Sequence, residues 1–146
     1  MTPLVIDTAV AVKAVLPEED SAAADALLDA AARGARQLIA PDLMALEFGN
    51  VMWKHVQRSR MTAAEARRNV ERFPFDRISW LPGRALLPGA MELALRFNIT
   101  VYDGTFLAAA ESLGVHFVTA DQALHRKVSK HLPWVTLLSQ LPSPES

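Results

Sequence analysis

The chain has 146 residues, of which 51% are hydrophobic and 21% charged, and its formal net charge is -1. This composition is typical of one globular domain, and it excludes a disordered chain and a protein that wraps nucleic acid by bulk positive charge. The chain has no cysteine, which excludes disulfides, thiolate metal sites and a cysteine nucleophile. Any metal ion must therefore bind through oxygen or imidazole.

The amino terminus, MTPLVIDTAV, lacks the basic region and the long apolar region of a signal peptide. No apolar run approaches the ~20 residues that a membrane-spanning helix needs. We therefore expect a cytoplasmic protein that does not contact a membrane. No repeat, low-complexity tract or linker divides the sequence, which predicts a single domain over residues 1–146 with a frayed tail from about residue 140.

Six short apolar runs predict β-strands, and most are separated by segments with helical spacing. They are PLVID, QLIA, RISWL, NITVY, HFVTA and WVTLL. The runs are continuous rather than alternating, as expected of strands that are buried on both faces. The pattern predicts an α/β fold, with a central parallel sheet flanked by helices on both sides.

The helices between these strands have recognisable start signals. Asp20 or Ser21 can cap the helix in AAADALLDAAAR, and Thr62 with Glu65 forms a capping box for the helix in MTAAEARR. A further helix is predicted in GRALLPGAMELALRF, where Pro88 should mark a start, a kink or a break.

The helix predicted from Leu43 to Val56 is apolar over most of its circumference. Its polar side chains Glu47, Asn50 and Lys54 share one narrow stripe. Such a helix should be covered twice, once by the sheet and once by a partner protein or a second copy of the chain, because large exposed apolar patches usually mark interfaces.

Three aspartates each follow a predicted strand and precede a predicted helix: Asp7, Asp103 and Asp121. The carboxyl ends of parallel strands form the edge at which ligands bind in open α/β sheets, so these acids predict a shared site. Taken singly, each could instead be a helix N-cap, because Asp is among the best capping residues. Glu47 could likewise lie on the solvated side of its helix.

Carboxylates brought together repel one another, and each raises the pKa of its neighbour unless a cation compensates. Mg²⁺ or Mn²⁺ is the natural partner of such oxygen ligands. A metal ion of this kind lowers the pKa of a bound water and neutralises charge on a phosphate. The acids therefore indicate phosphoryl-transfer chemistry.

Three segments, LVIDTAVAVKAVLPEED, LIAPDLMALEFGNVMWK and ITVYDGTFLAAAESLGVHFVTAD, resemble in order and spacing the successive motifs of PIN-domain ribonucleases, specifically the VapC toxins of bacterial toxin–antitoxin pairs. The resemblance extends from about Leu4 to Leu138. It implies a PIN-like three-layer sandwich and a Mg²⁺- or Mn²⁺-dependent endoribonuclease that leaves a 5′-phosphate and a 3′-hydroxyl. It also implies a homodimer that a cognate VapB-type antitoxin neutralises.

The resemblance assigns the catalytic acids of the family to Asp7, Glu47, Asp103 and Asp121. It implies that Asp7, Asp103 and Asp121 hold metal and that Glu47 orients or deprotonates the attacking water. The hydroxyl that accompanies the fourth acid in many members falls on Thr119, where it would support the site as a hydrogen-bond donor.

The sequence departs from the family pattern at three positions. Ala9 stands where Ser or Asn is frequent, and Gly104 and Phe106 replace the more usual Ala and Tyr. Ala9 supports an alternative function, a catalytically weakened PIN-like module that binds protein or RNA. A phosphoacceptor signalling domain fits poorly, because Asp7 has no adjacent acid and no lysine follows WVTLL.

Two basic clusters are either RNA contacts or ordinary solvated helix faces. The first consists of Arg58, Arg60, Arg67, Arg68, Arg72 and Arg77, and the second of His125, Arg126, Lys127, Lys130 and His131.

Overall fold

The structure, a computed structural model, describes residues 1–142 and contains one parallel five-stranded sheet. The strand order across the sheet is β3-β2-β1-β4-β5, and every neighbouring pair is parallel. The strands are β1 (Thr2–Ile6), β2 (Arg36–Pro41), β3 (Ile78–Leu81), β4 (His116–Thr119) and β5 (Val135–Leu137). The predicted α/β fold with a central parallel sheet is confirmed.

Seven α-helices connect and cover the strands in the described part of the chain. They are α1 (Thr8–Lys13), α2 (Ser21–Ala32), α3 (Leu43–Gln57), α4 (Ala63–Arg72), α5 (Gly83–Phe97), α6 (Val101–Leu113) and α7 (Gln122–Val128), with short 3₁₀ turns at Phe75–Arg77 and Leu138–Gln140. Part of the predicted frayed tail, residues 143–146, lies outside the described residues. Within residues 1–142, no helix is both long enough and apolar enough to cross a membrane.

The sheet lies at the centre of the core because its middle strands are apolar on both faces. Leu4, Val5 and Ile6 of β1 are all buried, as are Phe117 and Val118 of β4. The register pairs Val5 with Phe117 and Ile6 with Val118, so β1 and β4 end side by side. Whatever follows these two strands is therefore brought to the same edge of the sheet.

The prediction of a strand at NITVY is wrong. Its first three residues connect α5 to α6, and its last two begin α6. Asn98 ends α5 in the left-handed conformation, with φ of 54°. Thr100 is then the N-cap of α6, and its hydroxyl oxygen accepts a hydrogen bond from the Asp103 N–H at 3.0 Å. The cap outweighs the β-propensity of Val101 and Tyr102, which is a weak, context-dependent preference.

Helices α5 and α6 pack closely, and Gly104 makes that approach possible. A Cβ atom at Gly104 would lie only 2.4 Å from the carbonyl oxygen of Ala90. Helix α5 also continues through Pro88, so the predicted start or break there is wrong. Pro88 and Arg84 are exposed, and water can therefore satisfy the Arg84 carbonyl that proline leaves without an N–H partner.

The predicted start signals of two other helices have different outcomes. Thr62 caps α4 by accepting the Glu65 N–H at 3.1 Å, as predicted. Asp20 occupies the N-cap position of α2 but makes no side-chain capping bond. The Ser21 hydroxyl instead accepts the Glu18 N–H at 2.9 Å, which ties the preceding loop to the helix.

Helix α3 is buried on one side and apolar on the other. Phe48 and Met52 are fully buried against the protein, whereas Leu46 is 78% exposed and Trp53 is 56% exposed. Helix α3 also contacts β2, so the first of its two predicted covers, the sheet, is present. The second cover, a partner protein or another copy of the chain, stays a prediction.

Candidate active site

All four predicted acids line a single cleft of about 750 Å³. Asp7 directly follows β1, and Asp121 lies two residues after the end of β4. Glu47 reaches the cleft from α3, and Asp103 reaches it from the first turn of α6. Asp103 is thus brought to the site by a helix, and the prediction that it ends a strand is wrong.

Asp7 is the most buried of these acids, with 7% of its surface exposed. Its Oδ1 accepts the Val10 N–H at 3.0 Å and so caps α1, while its Oδ2 accepts a hydrogen bond from the Thr119 hydroxyl. Burial raises the pKa of Asp7 to about 7, and the charge of Asp121 adds to that rise. The hydrogen bonds from Thr119 and Val10 oppose the rise in pKa.

Thr119 connects two of the acids. Its hydroxyl donates to Asp7, and its oxygen accepts the Asp121 N–H at 3.0 Å. Asp121 in turn caps α7, because its Oδ1 accepts the Leu124 N–H at 3.0 Å. The capping interpretation is therefore correct for Asp7 and Asp121, and it is compatible with their position in the cleft.

Asp103 does not cap its helix, because Thr100 has that role. Burial raises the pKa of Asp103, and the negative charge of Asp121 raises it further. Thr100 and the ammonium of Lys127 lower it. The capping alternative is therefore wrong for this residue.

Glu47 has a hydrogen-bond partner that the sequence analysis missed. The Thr8 hydroxyl donates to Glu47 Oε1 at 2.8 Å. Burial raises the pKa of Glu47, the bond from Thr8 opposes that rise, and the charge of Asp103 adds to it. Thr8 directly follows Asp7, and this adjacency to the first acid was the available signal.

The donor set fits a hard divalent cation in its chemistry. Each candidate ligand is a carboxylate, and burial, together with the charge of a neighbouring acid, raises the pKa values of Asp7, Glu47 and Asp103. A bound cation would oppose both effects. Within residues 1–142 the one ion pair is Lys13–Glu18, at 3.4 Å. Yet in those residues no three acidic or histidine side chains already lie close enough to hold one ion. The arrangement suits an ion that keeps several of its own waters, as Mg²⁺ does.

Other residues that line the cleft differ in what they can offer to a bound ligand. Ala9 lines the cleft and supplies no polar atom beyond its backbone, at the position where the family pattern often has Ser or Asn. Lys13 and Lys54 also line the cleft, but the Lys13 ammonium is bound to the Glu19 carbonyl oxygen at 2.7 Å.

Comparison with known proteins agrees with the fold and identifies the family. The PIN domain model matches residues 4–130. Ribonuclease VapC3 of Pyrobaculum aerophilum is 32% identical over 126 residues, which is 85% of this chain and 93% of that protein. VapC ribonuclease Mb0985 of Mycobacterium bovis is 34% identical over 96 residues, which is 62% of this chain and 74% of that protein.

Two solved structures share the fold. The crystal structure of PAE2754 from Pyrobaculum aerophilum has a TM-score of 0.71 at 21% identity, covering 94% of this chain and 85% of that one. A toxin–antitoxin complex from Klebsiella pneumoniae includes a chain with a TM-score of 0.62 at 14% identity, covering 94% and 99%. The family match over most of the sequence, together with the VapC3 relative, shows that the chain belongs to the PIN-domain family and is of the VapC type.

Proposed function

We propose that this protein is a Mg²⁺- or Mn²⁺-dependent endoribonuclease and the toxin of a type II toxin–antitoxin pair. The observation that carries the proposal is the convergence of Asp7, Glu47, Asp103 and Asp121 on one cleft. Support for RNA as the substrate comes from relatives that are named VapC ribonucleases.

Asp7, Asp103 and Asp121 would hold the metal, directly or through water. When bound, the ion makes a water molecule more acidic and neutralises charge on the phosphodiester. Thr119 keeps the Asp7 carboxylate oriented towards the cleft through its hydrogen bond. This supporting role of Thr119 is the one that the family resemblance implies.

Glu47 serves as the general base. Its raised pKa brings it nearer to the working pH, where a base is most effective, and Thr8 fixes one of its oxygens. Glu47 accepts a proton from the attacking water, whose oxygen forms a bond to phosphorus. The bond from phosphorus to the ribose 3′-oxygen breaks, and that oxygen takes a proton from solvent water, which leaves a 5′-phosphate on one product and a 3′-hydroxyl on the other.

The proposal includes the partners and the setting of the enzyme. A VapB-type antitoxin neutralises it, in keeping with the toxin–antitoxin complex whose chain shares this fold. The exposed apolar side chains Leu46 and Trp53 support a protein interface, in a homodimer or with the antitoxin. The chain acts as a single domain in the cytoplasm.

A direct test is RNA cleavage with added Mn²⁺, with EDTA, and by the Asp7→Asn and Asp103→Asn variants. Cleavage that needs Mn²⁺ and is lost in both variants is the expected result. Growth arrest on expression should disappear with the same substitutions. Cleavage or arrest that survives both substitutions would overturn the mechanism.

A binding module without catalysis is the second candidate, and the position of Ala9 in the cleft favours it. Such a module would bind single-stranded RNA or a partner protein but leave the RNA intact with every divalent ion tried. The Ala9→Ser variant then distinguishes a weakened enzyme from a true module, because only the weakened enzyme should gain cleavage.

A further inference from the structure

A second groove meets the candidate active site at two of its acids. It encloses about 360 Å³ beside the start of α6 and the first turns of α7. Asp103 and Asp121 line both this groove and the main cleft. These two carboxylates therefore lie at the junction of two openings, and a linear polymer that crosses them has space on both sides.

Lys127 is the one cation that lines the second groove in the described part of the chain. Its Nζ donates to the carbonyl oxygen of Asn98 at 2.9 Å, which holds the ammonium at the groove wall. An ammonium group has three N–H donors, so two remain for another acceptor. Its charge also acts on the carboxylate of Asp103 at the junction.

The charge distribution explains why a cation is needed at this place. A phosphodiester backbone that approaches the acids is repelled wherever its own charges are not neutralised. The metal would offset the charge at the scissile phosphate but not at the next phosphate along the strand. A lysine acts as a point charge that binds phosphate well, and Lys127 lines the same groove as Asp103 and Asp121.

We propose that the second groove holds the RNA nucleotide on one side of the cleaved bond and that Lys127 binds the phosphate next to the scissile one. This inference rests on the proposed ribonuclease function. It makes Lys127 a substrate-binding residue that sets the position of the strand. A purely structural Lys127 would only stabilise the end of α5 through Asn98.

The test compares kcat/KM of the wild-type and Lys127→Met proteins with Mn²⁺ on a single-stranded RNA whose cleavage position has been mapped. Two further RNAs carry a neutral methylphosphonate in place of the phosphate on one or the other side of that position. Lys127→Met should lower kcat/KM on the native RNA roughly ten-fold, because one charged hydrogen bond is lost. On one of the neutralised RNAs, wild type and variant should be cleaved equally, because the contact is already gone.

Two matched variants act as controls, and thermal melting verifies that every variant is folded. Arg126→Met removes an exposed cation of α7 that lies outside both groove linings and should retain the wild-type rate. Lys127→Arg retains the charge and should keep most of the rate. Loss of one phosphate contact should also reduce the slope of log(kcat/KM) against log salt by about 0.7 for the Lys127→Met variant.

Three outcomes overturn the inference. In the first, Lys127→Met cleaves the native RNA as fast as wild type, and in the second it loses the same factor in kcat/KM on both neutralised RNAs as on the native one. Either result, with an active wild-type enzyme, rejects the role of Lys127 and leaves the ribonuclease function in place. A wild-type protein that cleaves none of the RNAs rejects the proposed function and this inference with it.

Discussion

The Thr119 hydroxyl donates a hydrogen bond to Asp7 from the end of the neighbouring strand. The two residues are far apart in sequence, but the parallel pairing of β1 and β4 brings them together at one edge of the sheet. The bond lowers the pKa of Asp7 against the larger effect of burial, which raises it. Thr119 therefore helps to keep the most buried acid of the cleft in its charged form.

Replacing Thr119 by Val should raise the pKa of Asp7 further, because it removes a donor to the carboxylate. At Mn²⁺ concentrations that do not saturate the site, where protons and the metal compete for Asp7, the acid limb of the pH–rate profile for RNA cleavage should then move to higher pH. Thr119→Ser keeps the hydroxyl and should retain the wild-type profile. An unchanged profile for Thr119→Val would contradict this role.

The same substitution should also reduce stability. Valine leaves the partly buried Asp121 N–H without the acceptor that Thr119 supplies, and the loss of this hydrogen bond should cost about 0.5–1.5 kcal/mol. Urea unfolding of the metal-free protein measures this loss of free energy of unfolding. A variant as stable as wild type would mean that water readily replaces the hydroxyl.

Asp7 should make the metal-free protein less stable as the pH rises. Its pKa is 3.8 in the unfolded reference and about 7 in the fold, so the folded state binds the extra proton between these values. The free energy of unfolding should fall across that window and level off above pH 7. A shift of this size corresponds to roughly 4 kcal/mol as an upper bound.

Asp7→Asn should remove most of this pH dependence, because asparagine cannot ionise and still caps a helix well. In EDTA, the variant should be more stable than wild type above pH 7 and similar to it at about pH 3 and below, where Asp7 is mostly protonated in both states. Chemical unfolding across this range provides the measurement. Parallel stability curves for the two proteins would show that Asp7 does not have a raised pKa.

Replacing Thr8 by Val should raise the pKa of Glu47, because the Thr8 hydrogen bond lowers it. The cleavage rate near neutral pH should fall, while the response of the melting temperature to Mn²⁺ stays as in wild type, since Glu47 is proposed as a base and not as a ligand. Thr8→Ser is the control that keeps the bond. Loss of the Mn²⁺ response would instead place Glu47 among the metal ligands.

Gly104→Ala should destabilise the protein, because the new Cβ would meet the Ala90 carbonyl oxygen and push α6 away from α5. Overpacking of this kind costs about 1–3 kcal/mol, and displacement of Asp103 should lower activity as well. Gly49→Ala is a matched control within α3, where a Cβ meets nothing within 4 Å. It should stabilise the protein by about 0.5–1 kcal/mol in thermal or chemical unfolding.

Much of the fold could be predicted from the sequence because parallel strands buried on both faces leave continuous apolar runs. The same reasoning wrongly predicts a strand at the run NITVY. Its residues favour a strand locally, but Thr100 caps a helix there, and the close packing of α5 on α6 depends on Gly104. Such contacts between distant segments are not visible in local propensity.

The convergence of the four acids on one cleft could be predicted because strand ends pointed to Asp7 and Asp121 and the family resemblance pointed to all four. The hydrogen bond from Thr8 to Glu47 could not be, because it depends on how α3 packs over α1. The second groove could not be predicted either, since it forms only where the fold brings Asn98, Asp121 and Lys127 together. Lys127 stood in a recognised basic cluster, but nothing in that cluster distinguished it from its neighbours.

The carboxylates around Asp7 are proposed to bind a divalent ion, and the melting temperature of wild type and Asp7→Asn above pH 7, with and without Mn²⁺, tests this binding. Mn²⁺ should stabilise the wild type, whose acids repel one another without it, and should leave Asp7→Asn almost unchanged. An equal response of the two proteins, or no response of the wild type, would contradict this binding.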